Sequence, residues 1–138
     1  MSLVRRALLI IAVIAVASPR VAQAQASAAK KIPSGTYSIV ANPNFSAEVD
    51  VTAFTIRFEG DSSMVTEQNG TVFIRSKLTY VGEELTWVDT EGQLSCPGTS
   101  RYKVAIDAAN GDVRLTPVED SCAERSGVLS QVKLVKMK

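Results

Sequence analysis

The run Asn69-Gly70-Thr71-Val72-Phe73-Ile74-Arg75-Ser76-Lys77-Leu78-Thr79-Tyr80-Val81-Gly82-Glu83-Glu84-Leu85-Thr86-Trp87-Val88-Asp89 decides the fold of this chain. From Val72 onward the residues alternate. Val72, Ile74, Ser76, Leu78 and Tyr80 fall on one side, and Phe73, Arg75, Lys77, Thr79 and Val81 on the other. Successive side chains of a strand point to opposite faces, so this is a strand with one apolar face and one mixed, wet face. Asn69-Gly70 suits the two positive-φ positions of a tight turn and closes a hairpin with the strand before it. Gly82-Glu83 closes the next hairpin, which sets Tyr80 opposite Leu85 and Leu78 opposite Trp87.

The same texture extends in both directions. Short runs rich in β-branched and aromatic residues occur at Gly35 to Val40, Phe54 to Phe58, Met64 to Glu67, Val72 to Val81, Leu85 to Asp89, Arg101 to Ile106, Val113 to Thr116 and Val132 to Met137. Turn chemistry separates them. Ala108-Ala109-Asn110-Gly111 lies between two alternating runs and folds the chain back with Ile106 facing Val113 and Val104 facing Leu115. Helical periodicity is absent apart from a single turn at Asp120 to Arg125, which excludes parallel α/β architectures. About eight sequential antiparallel strands must protect their edges, and closure does so most simply. The expected fold is all-β, an antiparallel up-and-down barrel of about eight strands; an antiparallel β-sandwich satisfies the same alternation.

The composition sets limits on function. The 138 residues, 46% hydrophobic and 21% charged, suit one domain. There is no histidine, which excludes Ser-His-Asp triads, Cys-His pairs and His-ligated zinc or haem. Arg5 and Arg6, an apolar run from Ala7 to Ala17, Pro19 and Ala22-Gln23-Ala24 have the order of a cleavable signal peptide over residues 1–24. The apolar run falls short of the roughly 20 residues of a spanning helix, although an uncleaved anchor is the alternative. Without Arg5, Arg6 and Arg20 the 15 basic residues become 12 against 14 acidic ones, a net charge of about −2 and no footprint for nucleic acid. Residues 25–34 then form a disordered tether, alanine-rich from Gln25 to Lys31, and the domain occupies 35–138. The chain is expected to be secreted or periplasmic.

An exported chain with two cysteines implies a disulfide. Extending the Val104–Leu115 register brings Cys96 within one residue of a position opposite Cys122, so both sit at the open end of one hairpin. Neither cysteine has the close-spaced partner or electropositive helix start of a redox-active thiol.

The ends of the domain carry a family resemblance. Lipocalins and their calycin relatives open the first strand with glycine, any residue and an aromatic, and place an arginine near the last strand that packs across that aromatic. Gly35-Thr36-Tyr37 resembles the first element, with tyrosine for the usual tryptophan, and Arg125 best matches the second. Cys96-Pro97-Gly98, Tyr102, Leu115-Thr116-Pro117-Val118, Asp120, Cys122 and Arg125 also resemble a pattern of small secreted bacterial lipocalin-like proteins of undefined function. The resemblance runs from Gly35 to the C-terminus. It implies a barrel closed at one end by a Tyr37–Arg125 pair and binding a small hydrophobic molecule inside. The candidate ligand-lining residues are Phe54, Ile56, Phe58, Ser76, Leu78, Tyr80, Trp87, Tyr102, Val104 and Leu115, each of which also suits a plain core. Trp87 and Tyr102 stand out because their polar tips need a partner or a wet cavity mouth.

The remaining features are weaker. Arg75, Lys77, Arg101, Lys103 and Arg114 form a basic outer side that reads as a solvated sheet face. Asn44-Phe45-Ser46 and Asn69-Gly70-Thr71 match the glycosylation acceptor pattern, the second better explained as a turn. Asn42 to Thr52 is a long connection suited to covering one mouth of the barrel. Glu83-Glu84, Asp89 with Glu91, and Glu119-Asp120 read as solvated surface charge rather than catalytic pairs. Asp107 and Asp112 lack the liganding rhythm of a calcium loop. No catalytic residue, metal site or cofactor is expected, nor an integral membrane segment after signal cleavage, and the chain reads as a monomer. The functional expectation is a non-enzymatic carrier of a small hydrophobic molecule; the alternative is an interaction or inhibitory module with a filled barrel.

Overall fold

Eight strands follow one another around a closed barrel, each hydrogen-bonded to the next and β8 back to β1. They are β1 (Gly35–Ala41), β2 (Thr55–Glu59), β3 (Ser63–Gln68), β4 (Thr71–Val81), β5 (Glu84–Glu91), β6 (Thr99–Ile106), β7 (Val113–Asp120) and β8 (Val132–Lys136). The structure is a computed structural model and describes residues 30–138. The expected signal peptide and the first part of the expected tether lie outside the described residues. All eight expected strands form, and closure excludes the sandwich. The expected single turn at Asp120 to Arg125 is instead a helix, α1 (Ala123–Leu129), that ends on the buried Leu129.

Local chemistry accounts for the hairpins. Asn69 and Gly70 adopt φ of 51° and 80°, the pair of positive values that a tight two-residue turn requires, between the partners Gln68 and Thr71. Tyr80 pairs with Leu85, Leu78 with Trp87, Val104 with Leu115 and Ile106 with Val113, as the alternation implies. Bulges change the parity in three places. In β4 the register shifts so that Val72 pairs with Glu67, which takes it off the inward row, while Phe73 meets Phe54 edge-to-face at 5.3 Å. A shift between Arg75 and Ser76 affects the β4–β5 ladder, and one between Arg101 and Tyr102 brings Asp120 opposite Ser100.

The ladder is uneven around the barrel. β1 and β8 share five residue pairs from Tyr37↔Lys136 to Ala41↔Val132, whereas β7 and β8 meet only at Val113↔Leu134. The segment containing α1 intervenes between those two strands, so they diverge toward the α1 end of the barrel. Lys133 reaches across the seam to Asp112, with Nζ 2.8 Å from Oδ2.

The opposite end is closed by the chain leading into β1. Residues 30–34 are packed rather than loose: Ile32 is 1% exposed, its N–H donates to the Tyr80 hydroxyl, and the Lys30 N–H donates to the Gly82 carbonyl. This part of the expected tether is a plug, because Ile32 supplies an apolar side chain to cover the barrel's end. Tyr37 is fully buried above it, donates to the Pro33 carbonyl at 2.8 Å and packs edge-to-face on Phe58 at 5.4 Å. Burial pushes the Tyr37 hydroxyl above its ordinary pKa.

We expect Tyr37→Ala to cost about 3 to 5 kcal/mol in urea unfolding, as emptying an aromatic core site does. Tyr37→Phe, which removes only the hydrogen bond to Pro33, should cost about 1 kcal/mol. Equal losses in the two variants would show that packing on Phe58 and Ile32 contributes little.

Candidate functional site: an apolar cavity over a buried charge cluster

The barrel is filled at the plugged end and hollow at the α1 end. A cavity of about 250 Å³ lies there, walled by Ile39, Phe54, Ile56, Thr66, Ile74 and Trp87 from the strands. Val128 and Leu129 of α1 and Val51 of the β1–β2 connection complete the apolar wall. Exposed Val49, Leu94 and Glu124 rim the mouth. The long connection between β1 and β2 therefore contributes to one mouth of the barrel, through Val49 and Val51. The cavity exceeds the roughly 150 Å³ that accommodates a benzene ring and falls just short of the 300 Å³ at which drug-sized pockets begin.

The candidate lining residues divide between the two ends. Phe54, Ile56 and Trp87 are on the cavity wall. Phe58, Leu78, Tyr102, Val104 and Leu115 are buried in the core, and Tyr80 is half-buried against Ile32. Ser76 is buried beside the wall, accepting from Trp87 Nε1 at 3.1 Å and donating to Asp89 Oδ1 at 2.8 Å. Ile39, Ile74, Val128 and Leu129 belong to the cavity without having been singled out by the sequence. Ile39 follows Tyr37 on the inward row of β1, while Val128 and Leu129 depend on how α1 docks.

Arg125 departs most from expectation. Its guanidinium does not pair with Tyr37, which lies toward the plugged end; it stands 5.8 Å from the Trp87 ring centroid. The reason is its position on α1, which precedes β8 and reaches the barrel where β8 begins, next to the end of β1 rather than its start.

Two buried aspartates hold Arg125 there. Nε and Nη2 form a bidentate pair with Asp120, at 3.0 and 2.7 Å, while Nη1 donates to Asp89 Oδ2 at 2.9 Å. The arginine side chain is 9% exposed and both carboxylates 1%. Asp89 and Asp120, expected as solvated surface charge, are thus the most buried acids of the barrel end. The bulge in the β6–β7 ladder explains Asp120: without the extra residue, alternation from Val113 and Leu115 would turn it outward.

Each carboxylate accepts four hydrogen bonds. Asp89 takes them from Ser76 Oγ, Trp87 Nε1, the Cys96 N–H and Arg125 Nη1. Asp120 takes them from the Tyr102 hydroxyl, the Cys122 N–H and Arg125 Nε and Nη2. Burial alone would raise the pKa of Asp120, but hydrogen bonds from Arg125, Tyr102 and the Cys122 N–H, with the arginine's charge, outweigh it and hold the acid below its ordinary value. Burial would likewise lower the pKa of Arg125, and the two aspartates reverse that. Tyr102 is pushed well upward by burial and by donating to Asp120.

The disulfide belongs to this cluster. Cys96 and Cys122 are bonded, with Cα atoms 6.0 Å apart, and their own N–H groups are the ones that reach Asp89 and Asp120. The bridge therefore holds together the two backbone donors that orient the acids around Arg125.

Other charged groups pair outside the barrel. Arg75 meets Glu91, and Arg101 meets Glu84 and Glu119, so part of the basic outer side is neutralised in place. Asp107 caps its own turn through the Ala109 N–H. No group of three acidic or cysteine side chains among the described residues could hold a metal ion, and no described helix is long and apolar enough to cross a membrane. No protein-family model, curated protein or solved structure matches the chain.

The cluster generates two expectations. Arg125→Met leaves two buried carboxylates without their cation and should cost about 3 to 5 kcal/mol at pH 7. With the pKa of Asp120 depressed in the fold, the stabilisation in the wild type is complete above the unfolded value near pH 4 and is lost as pH falls through the folded value. The pH dependence of urea unfolding checks this: acid sensitivity below about pH 4 should be weaker in Arg125→Met, and an unchanged profile would show that the pair does not set it. Cys96→Ser should remove on the order of 3 to 4 kcal/mol from the oxidised protein, given a loop of 26 residues, and nothing further in reductant.

Proposed function

We propose that this chain is an exported, lipocalin-like binding protein that holds a small hydrophobic molecule in the α1 end of its barrel. The observation that carries the reading is the cavity itself: an eight-stranded up-and-down barrel is plugged at one end by Ile32 and left hollow at the other behind an apolar wall. Eight strands enclose an interior that side chains can fill or that can hold one small ligand. Here the inward residues do the first at one end and make room for the second at the other.

The lipocalin likeness rests on the barrel order and on Gly35-Thr36-Tyr37, with Tyr37 inside at the plugged end. An arginine also stacks near an indole, although it uses Trp87 of β5. Export is supported by the residue order of the first 24 positions and by the Cys96–Cys122 bridge, which suits an oxidising compartment. Binding is favoured over catalysis because the two acids buried beside the cavity, Asp89 and Asp120, are each fully engaged by Arg125 and their other donors, while Glu124 stands exposed at the rim.

Native mass spectrometry of the mature protein purified from its own host tests the reading. A stoichiometric small apolar molecule should remain bound and be identifiable after extraction. Trp87 is the chain's one tryptophan and lines the cavity, so its fluorescence should respond to small aromatic dyes. An empty protein whose Trp87 emission no dye alters would favour an interaction module working through its surface.

A further inference from the structure

The polar groups beside the cavity narrow the class of ligand, an inference that rests on the binding function proposed above. Asp89, Glu124 and Arg125 line the cavity, and Asp120 stands directly behind Arg125. Arg125 with its two aspartates carries one positive and two negative charges in a region that is almost wholly buried. Glu124 adds a further negative charge at the rim. The environment facing a ligand is therefore net negative despite the arginine.

The hydrogen-bonding capacity is one-sided in the opposite sense. With four donors each, Asp89 and Asp120 have their acceptor sites filled, so neither can receive a hydrogen bond from a ligand. A guanidinium has five N–H groups, and Arg125 commits three of them, through Nε, Nη1 and Nη2. What the cluster can still offer is a donor. Trp87 cannot add to this, because its single N–H is shared between Ser76 and Asp89.

We propose that the cavity selects an uncharged, mostly apolar molecule bearing one hydrogen-bond-accepting oxygen, and turns away the matching carboxylate. A ketone or ester oxygen can use the remaining Arg125 N–H capacity without bringing charge. A carboxylate could reach the same donors, but it would be stripped of water beside two buried acids, and one guanidinium cannot neutralise three carboxylates. A primary ammonium reaching the charge cluster would meet filled acceptors at Asp89 and Asp120, although the Thr66 hydroxyl on the wall and the Glu124 carboxylate at the rim could still accept from it. The cavity volume also limits the ligand to roughly the size of one ring or a short chain, since about 150 Å³ suits benzene.

The test is a matched pair of eight-carbon probes, 2-octanone and octanoate, titrated at pH 7 and low salt into the isotope-labelled mature protein and followed by amide and Trp87 indole NMR shifts. The ketone should bind at least tenfold more tightly, with shifts concentrated at Phe54, Ile56, Trp87 and Leu129. Octanoate binding as tightly as the ketone, or more so, would overturn the charge selection while leaving the cavity reading intact. Saturating neither probe, together with no response to small aromatic dyes, would overturn both. Glu124→Gln removes a charge at the rim and should raise octanoate affinity two- to threefold relative to that of the ketone; an unchanged ratio would count against the electrostatic basis of the selection.

Discussion

One guanidinium shared by two buried carboxylates holds together the part of this barrel that its backbone ladder leaves open. β7 and β8 pair through Val113 and Leu134 alone, and toward the α1 end the ladder gives way to a helical connection. Arg125 ties that connection sideways, to Asp120 at the end of β7 and to Asp89 on β5. The Cys96–Cys122 bridge acts at the same place, and the amides of its two cysteines each orient one of the acids. Burying three charges is costly, so the cluster is better understood as fixing where α1 sits than as a large net source of stability. Where α1 sits decides whether the barrel has a cavity, because Val128 and Leu129 form part of its wall.

The two ends of the barrel divide the work of a small domain. At the plugged end Ile32, Tyr37, Phe58, Met64, Leu85 and Leu134 exclude water almost completely. That dense half supplies the apolar burial a domain of this size needs. At the α1 end the wall is apolar but the space is not filled. Rigid strands on one side, with a helix pinned by charge and disulfide on the other, preserve a hollow that a flexible loop would let collapse. Preorganisation of this kind favours binding, since less ordering cost accompanies the arrival of a ligand.

The strands, their hairpin partners and the disulfide were legible in the sequence because their causes are local. Alternation, Asn69-Gly70 and the hairpin register from Ile106 to Leu115 act over a few residues each. Asp89 follows Leu85 and Trp87 on the inward row by that same alternation, but most features that organise the site depend on departures from it. Asp120 faces inward only because an extra residue interrupts the β6–β7 ladder, and counting by twos from Val113 misses it. Ile32 stood alone among alanines, lysines and a proline, with no pattern to mark it as a plug. Arg125 was recognisable as a residue of consequence, but its partner was not: the helix that carries it meets the barrel at the end where Trp87 and Asp89 lie, and no spacing rule shows that. Phe54, Ile56 and Trp87 were identifiable as inward residues, while which inward residues border empty space depends on how both ends are closed.

The central claim is that the α1 end of the barrel holds a mostly apolar hollow, open at a mouth rimmed by Val49, Leu94 and Glu124, with room for a small molecule. A crystal structure of the oxidised protein under xenon pressure tests it most directly, because xenon settles in apolar cavities and needs no polar partner. The account predicts xenon density between Ile39, Phe54, Ile56, Trp87 and Leu129, with the Arg125 cluster undisturbed. A barrel whose α1 end is closed over by inward-shifted Val51, Val128 and Leu129, with no xenon inside, would contradict it.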